Sequence, residues 1–192
     1  MTKNITEQLL EAAEAVIIRQ GIGNLTIAAV ATEAGMSKGG LLHHFPTKDK
    51  LIEALVARSA EQWRNSYRDA YERTSEGPGR MTRGVINYCI TNDDCWTDEL
   101  RSVSAVVFTA LVQDPQLLQP MRDAYEELHE RLAQDGLPPG VSEVVLSAID
   151  GLWLNWVLGL SPFDQPRIYR VRQALKDIVA GALELSTSEE ES

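Results

Sequence analysis

Residues 35–51, GMSKGGLLHHFPTKDKL, hold side chains that could bind an anion, a nucleic acid or a metal ion. Lysines and two adjacent histidines surround two adjacent glycines, which let the backbone approach another molecule closely. His43 and His44 point about 100° apart on a helix, so they are poor ligands for one metal ion. Contact with phosphates and bases is the favoured chemistry, and no metal or cofactor is predicted.

Helix start and stop signals surround this stretch, so two short helices must position it. Thr26 can cap a helix that ends before Gly35, where a left-handed conformation is needed. Ser37 can cap a second helix that reaches about His44. Thr47 can then cap a long helix. The two short helices are joined by a tight turn.

The apolar residues of this segment predict a helix-turn-helix. Ala31 is small where the two helices would cross, and Gly35 follows four positions later. Val30, Leu41 and Phe45 would supply a small core. A helix-turn-helix typically has a small residue, a glycine and an apolar residue at this spacing.

With these residues in place, the chain resembles the tetracycline-repressor (TetR) family of transcriptional regulators. The residues that carry the resemblance are Thr26, Ala31, Gly35, Ser37, Leu41, Leu42, His43, His44, Phe45 and Lys48. It is specific over residues 5–55 and extends beyond them only to an all-helical domain of suitable length. It implies a DNA-binding regulator, usually a repressor, that a small-molecule effector releases from its operator.

The predicted DNA contacts lie on the second short helix and its flanks. They are Thr26, Ser37, Lys38, Gly39, Gly40, Leu42, His43, His44 and Lys48. We expect Lys38 to read a base, with contact to phosphate alone as the alternative, and the resemblance makes Lys48 a phosphate contact. The family usually has tyrosine at the position of Leu42. Leu42 could contact a thymine methyl group or pack inward.

Charge limits how this contact can work. The chain has 192 residues and a net charge of −10, but residues 1–50 hold five basic and five acidic residues. Its few lysines, among them Lys3 and Lys50, predict tight DNA binding only when two copies act together. The acidic amino-terminal segment and the lack of a long apolar run predict a cytoplasmic protein without a membrane span.

Helical periodicity runs through almost the whole chain, which predicts an all-α protein with about nine helices. Residues 1–47 are predicted as the helix-turn-helix domain, and residues 48–185 as a helical effector-binding and dimerisation domain. Residues 186–192 are predicted as a disordered acidic tail. DGLPPG, residues 135–140, is a strong break between helices.

Two carboxyl-terminal helices predict a homodimer. VSEVVLSAIDGLWLNWVLGL, residues 141–160, is apolar on nearly all faces, so it must be covered on several sides. The last helix is amphipathic, and two copies of each would make a four-helix interface. The predicted interface residues are Val145, Ile149, Leu152, Trp156, Val171, Leu175 and Ile178. Full burial inside one subunit is the alternative.

The middle helices are rich in aromatic residues, and their side chains could line an effector cavity. The candidate lining residues are Trp63, Tyr67, Tyr88, Cys89, Trp96, Phe108, Met121, Tyr125, Trp153 and Trp156. Asp150 and Asn155 are polar interruptions in the apolar helix of residues 141–160. They could anchor a ligand or face solvent. Cys89 and Cys95 have poor spacing for zinc. A small apolar or aromatic effector is predicted.

Other classes of protein fit less well. The chain has no P-loop, nucleophile elbow, H-E-x-x-H or dinucleotide-binding fingerprint, so an enzyme is not predicted. A helix-turn-helix adaptor that binds proteins but not DNA is the alternative, because the first 50 residues are neutral and the usual tyrosine is missing.

Overall fold

The computed structural model describes residues 4–91, 96–160 and 164–190. Within these ranges the chain forms nine α-helices and no strand, which confirms the prediction of an all-α fold. The helices are α1 Ile5–Gln20, α2 Ile27–Glu33, α3 Lys38–His44, α4 Lys48–Glu72, α5 Arg80–Thr91, α6 Asp98–Gln113, α7 Gln119–Ala133, α8 Val141–Val157 and α9 Gln165–Glu190. Cys95 and Lys3 lie outside the described residues.

Two helix ends differ from the sequence pattern. Residues 115–134 read as one helix, but Pro115–Leu118 forms a 3₁₀ turn before α7, because the Asp114 side chain accepts a hydrogen bond from the Gln116 amide (2.9 Å). Helix α9 reaches Glu190, beyond its predicted end at Leu185. Each added residue gains a helical hydrogen bond, which favours this extension.

The helices pack into two compact units. The first lies within Met1–Glu61 and Thr97–Asp123, and the second within Gln62–Trp96 and Ala124–Ser192. Helix α4 is continuous through both stretches. The functional boundary after residue 47 therefore stays a prediction.

In the first unit, α1 packs against α2 and α6. Leu9, Ala13, Val16 and Ile17 recur on one face of α1, and all four are buried. This spacing is that of an amphipathic helix. The same cluster also takes residues from α2, α3, α4, α6 and the 3₁₀ turn after α6, so the helix-turn-helix packs on an apolar core that it shares with these elements.

A charged cluster also ties α1 to α4. The Arg58 guanidinium lies 3.1 Å from Glu7, 3.3 Å from Glu14 and 4.0 Å from Glu11. Burial raises the pKa of Glu14 more than Arg58 lowers it, and the two neighbouring carboxylates raise it further. Arg58 is therefore the cation that offsets the repulsion among three carboxylates on one helix face.

The second unit is built on α5, α8 and α9, which contact one another. The Asp135 carboxylate, at the start of the α7–α8 connection, accepts hydrogen bonds from the Met81 amide, the Thr82 amide and the Thr82 hydroxyl, each 2.7 Å long. The Thr82 hydroxyl also lies 3.0 Å from that of Ser142. Asp135 thus links the start of α5 to the chain just after α7, and Thr82 links it to the start of α8.

Burial corrects part of the predicted dimer interface. Five of its residues form the core of the second unit within one chain: Val145, Ile149, Leu152, Trp156 and Leu175. Val171 is half-buried and Ile178 is 44% exposed. The core residues face α5 and the neighbouring helices, because one side of the apolar α8 is covered inside its own subunit. Their side chains are unavailable to a second copy in this conformation.

The opposite sides of α8 and α9 carry apolar and small residues, exposed or half-buried, at alternating spacings of three and four. On α8 and its carboxyl cap these are Val144, Ser147, Gly151, Leu154 and Leu158, and on α9 they are Val171, Ala174, Ile178, Gly181 and Leu185. This spacing is that of a helix-packing seam. We call the two sets the α8 stripe and the α9 stripe.

Candidate nucleic-acid interface

The turn between α2 and α3 has the geometry that the sequence predicts. Gly35 has a φ of +65°, a conformation that favours glycine because it has no Cβ. The Met36 amide donates to the Ala31 carbonyl (2.9 Å) and the Gly35 amide to the Thr32 carbonyl (3.2 Å). These two bonds end α2 in a Schellman motif, which fixes the direction in which α3 leaves.

Side-chain caps begin the three helices around the turn. The Thr26 hydroxyl accepts from the Ala29 amide (3.1 Å), and the Ser37 hydroxyl accepts from the Gly40 amide (3.0 Å). The Thr47 hydroxyl accepts from the Lys50 amide at the start of α4 (3.2 Å). Each bond satisfies an amide that the helix leaves unpaired. Thr26 and Ser37 are thus structural whatever else they contact.

One side of α3 is anchored and the other is exposed. Leu41 is fully buried beside Val30, Ala31 and Phe45, as predicted for the core of the motif. Opposite Leu41, helical spacing places the exposed Gly39 and His43, and Leu42 and Lys38 lie along one edge of this side. Lys38 is exposed and Leu42 half-buried, so the helix presents a shallow surface bordered by one cation.

The two central glycines differ in what surrounds them. A Cβ added to Gly39 would meet no atom closer than the Ser37 hydroxyl at 4.0 Å. A Cβ at Gly40 would come within 3.3 Å of that hydroxyl and 3.6 Å of the Met36 sulfur. Gly40 is therefore required in part by the local fold, whereas Gly39 faces open space.

The cations near α3 are unequally available. Lys50 pairs with Glu53 at 2.6 Å, and Arg19 pairs with Glu33. In the described part of the chain, Lys38 and Lys48 form no ion pair, and Lys48 is half-buried. His43 and His44 pack edge to face with ring centroids 5.5 Å apart. Lys38 and Lys48 are thus the cations best placed to meet an anionic partner.

Eight of the ten predicted effector residues belong to the second unit, and Phe108 and Met121 belong to the first. The Trp63 ring lies 4.4 Å from those of both Tyr67 and Tyr125. The rings of Trp96 and Trp156 are 5.1 Å apart. These contacts define an aromatic cluster within the second unit.

A carboxylate lies at the edge of this aromatic cluster. The Tyr125 hydroxyl donates to Asp150 Oδ1 at 2.8 Å. Burial raises the pKa of Asp150 above its usual range, while the bond from Tyr125 and the charge of His129 lower it. Across the described residues, no lysine or arginine pairs with Asp150. Asn155 instead donates to the Gly151 carbonyl of its own helix (2.6 Å).

A cavity described in the second unit lies elsewhere. It has a volume of about 580 Å³, and its lining includes none of the ten predicted effector residues. The lining residues are Arg73, Thr74, Ser75, Arg83, Ile86, Asn87, Lys176, Val179, Ala180 and Leu183. Sequence reasoning missed it because its cations look like ordinary surface charges on three separate segments of the chain. We call it the α5–α9 groove.

Two family models match the chain. The model for bacterial regulatory proteins of the tetR family matches residues 9–55, which contain the whole helix-turn-helix. The model for the tetracyclin repressor-like C-terminal domain matches residues 79–180, more than half of the chain. Together they cover both units.

Similar proteins include characterised regulators and solved structures. The chain is 27% identical to the HTH-type transcriptional regulator BetI of Paraburkholderia xenovorans, over 92% of this chain and 94% of that protein. A TetR transcription regulator from Haloarcula marismortui has a TM-score of 0.74 at 18% identity, with 93% of this chain and 97% of that chain covered. The multidrug binding protein EbrR in complex with ethidium has a TM-score of 0.67 at 20% identity, with coverage of 93% and 100%.

No helix in the described ranges is long and apolar enough to cross a membrane.

Proposed function

Because the chain belongs to the TetR family of transcriptional regulators, we propose that it is a homodimeric repressor. It binds an inverted-repeat operator and leaves it when a small apolar or aromatic effector binds. The observation that carries the DNA-binding part is the exposed side of α3, with Gly39 and His43 at its centre and Lys38 at its edge. A helix of this kind fits the major groove.

Lys38 is the residue we assign to base reading. It is exposed at the start of α3 and has no carboxylate partner in the described residues. Its neighbour Gly39 adds no side chain, so the backbone can approach the bases. A lysine at this place can donate to guanine O6 and N7, and Lys48 on α4 then contacts phosphate.

Lys38→Ala is expected to weaken binding to the best operator about tenfold and to flatten the preference at one base pair per half-site. Fluorescence anisotropy across single-base operator variants measures both effects. Lys50→Ala is the matched control, because Lys50 is exposed but paired with Glu53. A uniform loss across all operator variants would assign Lys38 to phosphate instead.

Two copies meet, in our proposal, through the α8 and α9 stripes. Gly151 and Gly181 lie inside these helices, and a Cβ on either would meet no atom within 4 Å in the single chain. Glycine inside a helix costs about 1 kcal/mol relative to alanine. A second subunit whose helices approach closely would account for glycine at both positions. A two-fold dimer places its recognition helices about one DNA turn apart.

The effector site in this proposal is the aromatic cluster with Asp150. Rings beside a half-buried carboxylate favour an aromatic cation, and Asp150 has no cationic side chain paired with it in the described residues. The similar protein EbrR is described in complex with ethidium, which is such a cation. An effector of this class must bind the released geometry more tightly than the DNA-bound one.

Ethidium is therefore expected to bind the purified protein, and Asp150→Asn is expected to weaken binding about tenfold because the charge is lost while the acceptor for Tyr125 remains. Affinity should fall as the pH falls through the raised pKa of Asp150, because protonation neutralises the carboxylate. Ethidium fluorescence measures both, with the exposed Asp177→Asn as control. If ethidium binds the wild type and Asp150→Asn with equal affinity, its binding site does not include Asp150.

The alternative is a helix-turn-helix adaptor that binds proteins without DNA. The balanced charge of residues 1–50 and the absence of a tyrosine at Leu42 favour it. Gel shifts with genomic fragments at increasing salt distinguish the two functions. Salt-sensitive retardation supports the repressor, and failure to select any fragment supports the adaptor.

A further inference from the structure

The α5–α9 groove is a second place where this chain can hold a small molecule. Its volume of about 580 Å³ lies in the range of ligand sites. Arg73 from the turn after α4, Arg83 from α5 and Lys176 from α9 line it. Among the described residues, three cations and no carboxylate line this cavity, although the chain has a net charge of −10.

Lys176 lacks a counter-charge in this groove. Its ammonium forms no hydrogen bond or ion pair with any described residue, and it is half-buried. Burial lowers its pKa, and the nearby Arg172 lowers it further. A partly buried cation beside another cation is stabilised by a nearby anion.

Arg83 is held in place by the loop beneath it. Its terminal nitrogens donate to the Ser75 hydroxyl and the Ser75 carbonyl, both at 2.8 Å. Its Nε is buried and has no acceptor among the described atoms. The guanidinium is therefore fixed in orientation, and its Nε donor is unpaired. By contrast, Arg73 is 84% exposed and lies 3.9 Å from Asp69, so it marks the open rim.

The remainder of the lining is apolar. Ile86 and Val179 are buried, and Leu183 is half-buried. On α9 the groove residues lie opposite the α9 stripe, so both surfaces can be used at once. We propose that the α5–α9 groove binds an organic carboxylate with an apolar body, its carboxylate against Lys176 and Arg83 and its apolar part on Ile86, Val179 and Leu183.

Octanoate is the probe that tests this site, by isothermal titration calorimetry on the full chain. It should bind at least about tenfold more tightly than octan-1-ol or octylammonium. These two compounds have the same eight-carbon alkyl group but no carboxylate. Lys176→Met should weaken octanoate binding about tenfold. Ala180→Trp, which fills the groove without changing charge, should also block it.

Two controls separate this site from the others. Lys50→Met removes an equally charged side chain in the first unit and should leave octanoate binding unchanged. Asp150→Asn should leave it unchanged too, so failure of the effector site and failure of this one are distinguishable. Equal binding of octanol, or unchanged binding to both Lys176→Met and Ala180→Trp, would overturn the proposal, as would no octanoate binding at all.

Discussion

Gly181→Arg is expected to convert the protein into a folded monomer and to reduce affinity for a full operator roughly a hundredfold or more. Gly181 lies at the centre of the α9 stripe, where a side chain would enter open space in the single chain. The monomer should therefore keep its fold. The dimer should not form, because a long charged side chain would lie where the second copy's helix approaches.

The loss in DNA affinity follows from the small number of cations on each copy. Lys38 and Lys48 give each subunit few phosphate or base contacts, so one copy binds weakly. Joining two copies makes the second half-site contact intramolecular, which raises affinity by orders of magnitude without a new contact. Binding to a single half-site duplex should consequently be the same for Gly181→Arg and the wild type.

Sedimentation velocity and anisotropy with full and half operators measure these effects. Ala133→Arg is the matched control, since it adds the same charge at an exposed position on α7 and should change neither property. Gly181→Ala should also weaken dimerisation and operator binding, but less than Gly181→Arg does. It should also raise the stability of an isolated monomer by about 1 kcal/mol. A Gly181→Arg protein that remains dimeric would place the interface on another surface.

The helix-turn-helix could be predicted from sequence because its determinants are local. Gly35 supplies the positive φ, while Thr26 and Ser37 cap amides three residues along the chain. Each of these interactions joins residues of one short segment. Their residue types therefore carry the geometry without knowledge of the remaining fold.

The dimer surface was harder to predict because α8 is apolar on nearly every side. Hydrophobic periodicity shows that such a helix is buried on several sides. It does not show which elements cover it. The structure places α5 against one side, so Val145 and Leu152 belong to the core of their own chain. Only the opposite side, marked by the half-buried Gly151 and the exposed Leu154, is left for a second copy.

The α5–α9 groove had no sequence signal, because Arg73, Arg83 and Lys176 come from three separate segments of the chain. Each looks like a solvated surface charge. Their convergence depends on how α5 and α9 pack, which depends in turn on the contact between Asp135 and the start of α5. That contact joins residues 53 positions apart, so local patterns do not reveal it.

Asp135→Ala is expected to lower the free energy of unfolding by about 3 kcal/mol or more, and Tm by roughly 6–12 °C. Helix α5 follows Gly79, which has no side chain to act as a cap and has a φ of +71°. The Asp135 carboxylate supplies the cap from another segment through three bonds of 2.7 Å. Alanine would leave the Met81 and Thr82 amides without their acceptor, and Thr82 is completely buried.

A comparison of three variants by calorimetric unfolding tests this assignment. Asp135→Asn keeps an acceptor oxygen without the charge and should lose less stability than alanine. Asp114→Ala removes a cap that makes one exposed bond to the Gln116 amide, which should cost about 1 kcal/mol. Hydrogen exchange should quicken at the Met81 and Thr82 amides in Asp135→Ala. A loss no larger than that of Asp114→Ala would show that α5 is held by apolar packing alone, since the three bonds would then contribute little beyond what water supplies.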